Sequence, residues 1–453
     1  MVLPYNMKSV AQTPTLRKTI PVRYVILTMI FIVSTLNYAS RATLSMAGSS
    51  AQKELGFNSL QLGYLFSAFG YTYVIAQIPG GWLLDRYGSK KIYALSILTW
   101  SAFTFLQGFA GMFHATAALV AFFALRLLLG LAEAPAFPGN SRIVAAWFPA
   151  AERGGAAAVF NSSQYFSPFI FLPLSGWIVT RFGWTWVFFV TGALGIVAAA
   201  VWMKVIHSPT SHPRVTATEL DFIEKGGALV NMEKPAAAQT ASAGPSQWAA
   251  VGQLLGNKML LGIYLGQFCI NTITVFFGTW FPIYLVQERH MSILKAGFTS
   301  ALPALCGFAG GILGGLFSDG MLRTGRSLSA SRKAPIVTGM LLSMSMVLCN
   351  YVAAEWLVVV IMSLAFFGKG IGALGWAVVS DTSPKQVAGL SGGLFNMFGN
   401  VSTIVTPLVI GYIKYVTGSY QAALVYVAAN AAVAIFAYLF IVGEIRRVEL
   451  RAV

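Results

Sequence analysis

The chain has 453 residues, 57% of them hydrophobic and only 10% charged, with a mean hydropathy of +0.70. Soluble domains are about one quarter charged, so this composition excludes an ordinary soluble enzyme, and it argues against nucleic-acid binding despite a net charge of +16. Apolar stretches of about 20 residues, the length that crosses a hydrocarbon core of about 30 Å, recur along nearly the whole chain. They are continuous and lack the period-two alternation of a membrane barrel, so they predict an all-α integral membrane protein.

Residues 1–23 carry Lys8, Arg17, Lys18 and Arg23 ahead of a full-length apolar span with no obvious small-residue cleavage site. They read as a cytoplasmic N-terminus rather than a removable signal peptide. Six spans follow, near 24–46, 59–83, 92–111, 116–138, 154–176 and 184–205, and define a first bundle over 24–205. Residues 206–256 then break the pattern with "HSPTSHPR", "ATELDFIEKGG" and "KPAAAQTASAGPS". This is a linker, with a short helix on the membrane surface around Glu219 to Lys225 and a disordered piece over 234–246. A second bundle over 257–443 holds spans near 258–285, 296–319, 335–353, 356–380, 388–415 and 421–443, and 444–453 is a C-terminal tail.

Of 30 Lys and Arg, 22 fall in the termini and the even-numbered connections, against five (Lys53, Arg181, Arg289, Lys295, Lys414) in the odd-numbered ones. The bias places both termini and the linker in the cytoplasm. Cys269, Cys306 and Cys349 lie in apolar spans without metal spacing and read as packing residues.

The two halves resemble each other. "GGWLLDRYGSKK" (Gly80 to Lys91) follows the second span and "GGLFSDGMLRTGRSLSASRK" (Gly314 to Lys333) the eighth, each with paired glycines, an aspartate four residues after the second, and a basic loop. Glycines allow close helix approach, so Asp85, Arg86, Lys90 and Asp319 are candidate gate residues.

Ionisable side chains at bilayer depth are costly and normally face a partner or a watery cavity. Arg41, Arg126, Glu133 and Lys369 lie inside spans, with Asp381 nearer an end. Arg126 and Glu133 are seven residues apart, on nearly one helix face, about 10.5 Å apart along the axis, and are expected to line the same cavity. Three fixed cations against one clear carboxylate are hard to explain as structural pairing. An anionic substrate would complete the neutralisation, and arginine's planar fork suits a carboxylate. Glu133 is then the candidate proton carrier, because an anion arriving beside a carboxylate favours proton uptake and the two ligands help each other bind. Tyr38, Tyr73, Gln164, Asn271, Trp376 and Asn396 supply polar and aromatic groups near mid-span, where sites between transporter repeats lie. "EAPAFPGN" in span four and "KGIGALGW" in span ten predict broken helices.

The loop at Gly81, Asp85, Arg86, Gly88, Lys90 and Lys91 matches the G-x-x-x-D-R-x-G-x-K-K signature, so the chain resembles the major facilitator superfamily. The resemblance implies twelve transmembrane helices in two pseudo-symmetric six-helix bundles. "FSAFGYTYVIAQIPGGWLLDRYGSKK", "GLAEAPAFPGNSRIVAAWFP", "LGQFCINTITVFFGTWFPIYLVQ" and "AFFGKGIGALGWAVVSDTSPK" are similar to the anion:cation symporter family, within it to proton-linked D-glucarate and D-galactarate permeases. That resemblance implies import of a sugar-acid anion by proton symport and alternating access in a bacterial inner membrane, with no cofactor beyond the proton and a functional monomer. Matched strings carry over Tyr38, Arg41, Tyr73, Arg126, Gln164, Trp376 and Asn396 as substrate-site positions and Glu133 as a proton-coupling carboxylate. Lys369 stands where the related D-galactonate transporter has asparagine, and is a candidate clamp for the second carboxylate of a hexarate.

One departure stands out. The family string is Asn/Cys-Tyr-x-Asp-Arg, and Ser40 occupies the position of the aspartate. Either this homologue couples through Glu133 alone or the chain carries a deliberate Asp→Ser replacement. An uncoupled or state-trapped facilitator of the same anions, or a permease for an aldonate such as galactonate, is the alternative. A membrane enzyme or sensor lacks support, since His114, His207, His212 and His290 all sit in loops and no nucleophile–base pair is visible.

Overall fold

In a computed structural model, which describes residues 20–231, 247–384 and 387–450, every apolar stretch folds as helix, and no strand occurs among these residues. The first half comprises Val22–Leu55 (α1), Ser59–Tyr87 (α2), Ser89–Gln107 (α3), Ala115–Glu133 (α4), Ala136–Trp147 (α5), Arg153–Phe182 (α6) and Thr185–Val205 (α7). Ala217–Lys225 (α8) and Gln247–Leu255 (α9) lie between the halves. The second half comprises Lys258–Thr279 (α10), Phe281–Gln287 (α11), Ile293–Arg323 (α12), Leu328–Ser343 (α13), Glu355–Ile371 (α14), Gly375–Thr382 (α15), Ala388–Thr417 (α16) and Gln421–Phe436 (α17). The predicted breaks are present: α4 gives way to α5 at Ala134 and Pro135, and α14 to α15 across Gly372 to Leu374. Ten described helical segments are long and apolar enough to cross a membrane. The two long helices outside that set, α2 and α6, carry internal prolines and many polar or small residues, as befits helices that face an interior.

The halves meet along α2 with α16 and α6 with α12. At the face away from the termini the backbones nearly touch. A Cβ on Gly63 would fall 2.7 Å from the Pro407 carbonyl, and one on Gly297 2.8 Å from that of Leu172. Eighteen residues are five helical turns, so Gly81, Gly393 and Gly315 repeat the faces of Gly63, Gly411 and Gly297 near the other membrane surface. There a Cβ would meet nothing within 4 Å. The halves therefore touch at one end and splay at the end that bears the termini.

In the first part of the linker α8 forms over the predicted residues and packs one face on the protein, with Ile223 fully buried. Its Glu219 accepts the backbone N–H groups of Val22 (3.0 Å) and Arg23 (3.1 Å), placing a carboxylate on the unpaired amides at the start of α1. Glu219→Ala is expected to cost about 1 kcal/mol, the worth of a helix cap. Faster hydrogen exchange at Val22 and Arg23 would report it, and unchanged exchange would refute it. The predicted disordered piece over 234–246 and most of the N-terminal segment lie outside the described residues.

Candidate functional site

Between the halves lies a cavity of about 210 Å³. The first half contributes Tyr38, Arg41, Arg126 and Gln164 to its wall, and the second Asn271, Thr274, Ser300, Asn400 and Thr403, with Phe66, Phe69, Phe277 and Phe366 as apolar surfaces. Helical spacing makes this possible: Tyr38 and Arg41 are three residues apart on α1, and the guanidinium lies 5.3 Å from the Tyr38 ring centre. It also sits over Phe69 and Tyr73 of α2, 4.6 Å from each.

The charges are distributed unequally. Arg41 Nε donates to Glu133 Oε2 at 2.7 Å, and Ser40 Oγ lies 2.8 Å from Oε1 of the same carboxylate. Glu133 is fully buried behind Arg41, which corrects the expectation that it shares a cavity wall with Arg126. The reason is tertiary: Ser40 and Arg41 of the neighbouring α1 draw the carboxylate onto themselves. Arg126, by contrast, is 2% exposed with Nε and Nη1 buried and unpartnered. A buried donor without a partner carries its full desolvation cost, so this guanidinium is poised for an anion.

Lys369 is buried and hydrogen-bonds Tyr165 OH at 3.2 Å, with no carboxylate partner among the described residues. It does not line the cavity, and neither do Trp376 and Asn396. Those two make contacts between the halves beside the cavity. Asn396 donates to Gln77 Oε1 at 2.8 Å, and Trp376 stacks on Phe137 at 6.3 Å, both across the halves. Tyr73 and Arg41 border a second, smaller cavity of about 20 Å³ with Ser34, Asn37, Tyr93 and Asn140, room for about one water. Asn271 is held to α16 through Gly399 O (2.9 Å) and Ser402 Oγ (2.8 Å).

Two of the candidate gate residues, Asp85 and Asp319, form ion pairs, each inside its own half. Asp85 bonds Arg142, Arg86 lies over Trp82 and Tyr87, and Lys90 borders a terminal-face pocket with Lys91 and His207. In the second half Arg332 reaches Asp381 at 2.8 Å and Asp319 at 3.8 Å, which also accounts for the charge at Asp381. Sequence reasoning missed Thr274, Ser300, Asn400, Thr403, Gln77 and Phe137. Isolated hydroxyls and amides in apolar helices are too common to be a signal before packing shows which face a void.

Residues 30–331 match the family described as Major Facilitator Superfamily. The chain belongs to the major facilitator superfamily. It is thus a membrane transporter and no enzyme. It is 59% identical over 439 residues to the probable galactarate/D-glucarate transporter GudP of Bacillus subtilis, covering 97% of this chain and 96% of that one. Identity is 58% to the GudP of Escherichia coli K12, over 95% of this chain and 96% of the relative. It is 40% to a D-galactonate transporter of Escherichia coli O6:H1, over 94% and 97%. Among solved structures, a bacterial homologue of the human lysosomal transporter Spinster, inward-facing and occupied, superimposes with a TM-score of 0.70 at 14% identity, over 93% of this chain and 97% of that one. That similarity speaks for the superfamily fold alone.

Proposed function

We propose that this transporter imports hexarate dianions, D-glucarate and D-galactarate, by proton symport. The observation that carries the reading is the charge of the interior. Among the described residues at membrane depth, Arg41, Arg126 and Lys369 stand against one carboxylate, Glu133, an excess of two cations, and Arg126, whose Nε and Nη1 are buried without partners, borders the cavity. A dianion matches that excess where a monoacid leaves one charge unbalanced. The names borne by the 58–59% identical relatives, against 40% for the D-galactonate transporter, support the same choice.

Coupling through Glu133 alone is supported by Ser40. Its hydroxyl lies 2.8 Å from Glu133 Oε1 and 2.7 Å from the Asn37 carbonyl, and it has one proton to give. With Glu133 charged, Ser40 donates to the carboxylate. With Glu133 protonated, the carboxyl donates to Ser40 and the hydroxyl turns to the carbonyl. Ser40 thus serves both states without titrating. The alternative, an uncoupled facilitator, rests on the same missing carboxylate.

The excess of basic residues at the splayed end supports cytoplasmic termini and an inward-facing arrangement. In proteoliposomes, an acid-outside gradient is expected to drive D-glucarate uptake above equilibrium, and equilibration without accumulation would favour the facilitator. Lys369→Asn is expected to weaken D-glucarate uptake roughly tenfold or more, the loss of a buried positive charge that lies behind Phe366 of the cavity wall, with D-galactonate little affected. Equal effects on both anions would refute a role for Lys369 in choosing dianions.

A further inference from the structure

The cavity is asymmetric: its first-half wall carries both cations, and its second-half wall carries only neutral polar groups. Hydroxyls in apolar helices ordinarily satisfy themselves on a carbonyl one turn back. Thr272, Thr279 and Thr403 do so, to Phe268 O (3.1 Å), Val275 O (2.6 Å) and Asn400 O (2.7 Å). The amide nitrogen of Asn271 is engaged by Gly399 and Ser402, and that of Asn400 by Asn396. Two wall residues break this pattern. Thr274 of α10 and Ser300 of α12 both line the cavity, and the oxygen of each is buried without a hydrogen-bond partner. Ser300 is 3% exposed. Other buried hydroxyls without partners, such as Ser101, Ser167 and Ser331, do not border this cavity.

We infer that Thr274 and Ser300 form a subsite for the chain hydroxyls of the transported sugar acid. The inference rests on the function proposed above and deepens it: the cations on the cavity wall come from the first half, and the wall of the second half reads hydroxylation. Phe277 and Phe366 on the same wall offer apolar surface to the carbon chain. A hydroxyl both donates and accepts, so each of these side chains can pair with a polyol carbon's O–H in either sense. An unhydroxylated diacid of equal length leaves both oxygens unpaired in a site built to bond them, and such sites discriminate strongly.

D-glucarate and adipate make the comparison, since both are six-carbon dianions and differ in their four hydroxyls. Binding by the full-length protein in detergent is expected to favour D-glucarate over adipate by about 100-fold or more. Thr274→Val and Ser300→Ala should each weaken D-glucarate roughly tenfold, the worth of one lost bond in a desolvated site, and leave adipate unchanged or tighter. Thr274→Ser, which keeps the hydroxyl, should restore D-glucarate binding. A parallel loss for both diacids, or D-glucarate affinity unaltered in both variants, would overturn the subsite and leave the hexarate assignment standing. A parent protein that binds D-galactonate but neither diacid would overturn both.

Discussion

Arg126→Met is expected to abolish hexarate binding while raising the thermal stability of the empty transporter. The two effects have opposite signs for one reason. Arg126 is buried with two donors unpartnered, so in the empty protein it is an uncompensated charge, and replacing such a charge by an apolar side chain of similar length removes a cost. When the anion is present, the same guanidinium supplies a desolvated charge-assisted contact, and truncating such a contact costs about 2–5 kcal/mol, roughly 30-fold to several thousand-fold in affinity. Thermal unfolding with and without D-glucarate measures both. Arg41→Met provides the contrast, because it strands the buried carboxylate of Glu133 and should lower stability by about 3–5 kcal/mol. A fall in stability on replacing Arg126 would show that this guanidinium is structural.

Glu133→Gln is the second large effect. The amide keeps the shape of the carboxyl group and its contact with Ser40, but it carries no titratable proton. Uphill accumulation of D-glucarate under an acid-outside gradient should fall to the equilibrium level, with its pH dependence gone. Exchange of labelled for unlabelled D-glucarate, which needs no net proton movement, should survive within a few-fold. The groups around Glu133 are Asn37, Tyr38, Ser40 and Arg41 of α1, Tyr93 of α3 and, farther along its own helix, Arg126. Among these no other carboxylate is available to take over the proton. Gradient-driven accumulation that persists in Glu133→Gln would locate coupling elsewhere.

These two residues also show how far the sequence reached. Arg126 and Glu133 stand out as charges in apolar spans, and a heptad spacing sets them on one helix face. The spacing says nothing about the α1 side chains Ser40 and Arg41, which hold the Glu133 carboxylate behind the cavity wall that Arg126 borders. Lys369 was legible as an intramembrane cation, but its position against Tyr165, off the cavity wall, depends on how the halves meet. Trp376 and Asn396 likewise make contacts across the halves, with Phe137 and Gln77, partners more than 200 residues away in the chain.

What the sequence determined by itself is whatever follows from local apolar length and charge. The helical spans, the division into halves, the breaks at "EAPAFPGN" and "KGIGALGW", and the presence of uncompensated cations at membrane depth all belong here. These depend on the solvation of each segment, and lipid enforces that solvation segment by segment. Tertiary structure alone decided which groups meet. Only the folded structure distinguishes the hydroxyl of Thr279, bonded to Val275 O one turn back, from the unpartnered one of Thr274, five residues earlier on the same helix. Only the backbone contact of Gly63 with Pro407, set against open space at Gly81, shows which end of the transporter is closed. Partner choice across a cavity is a long-range property, and helical periodicity fixes the face of a side chain but not what stands opposite it.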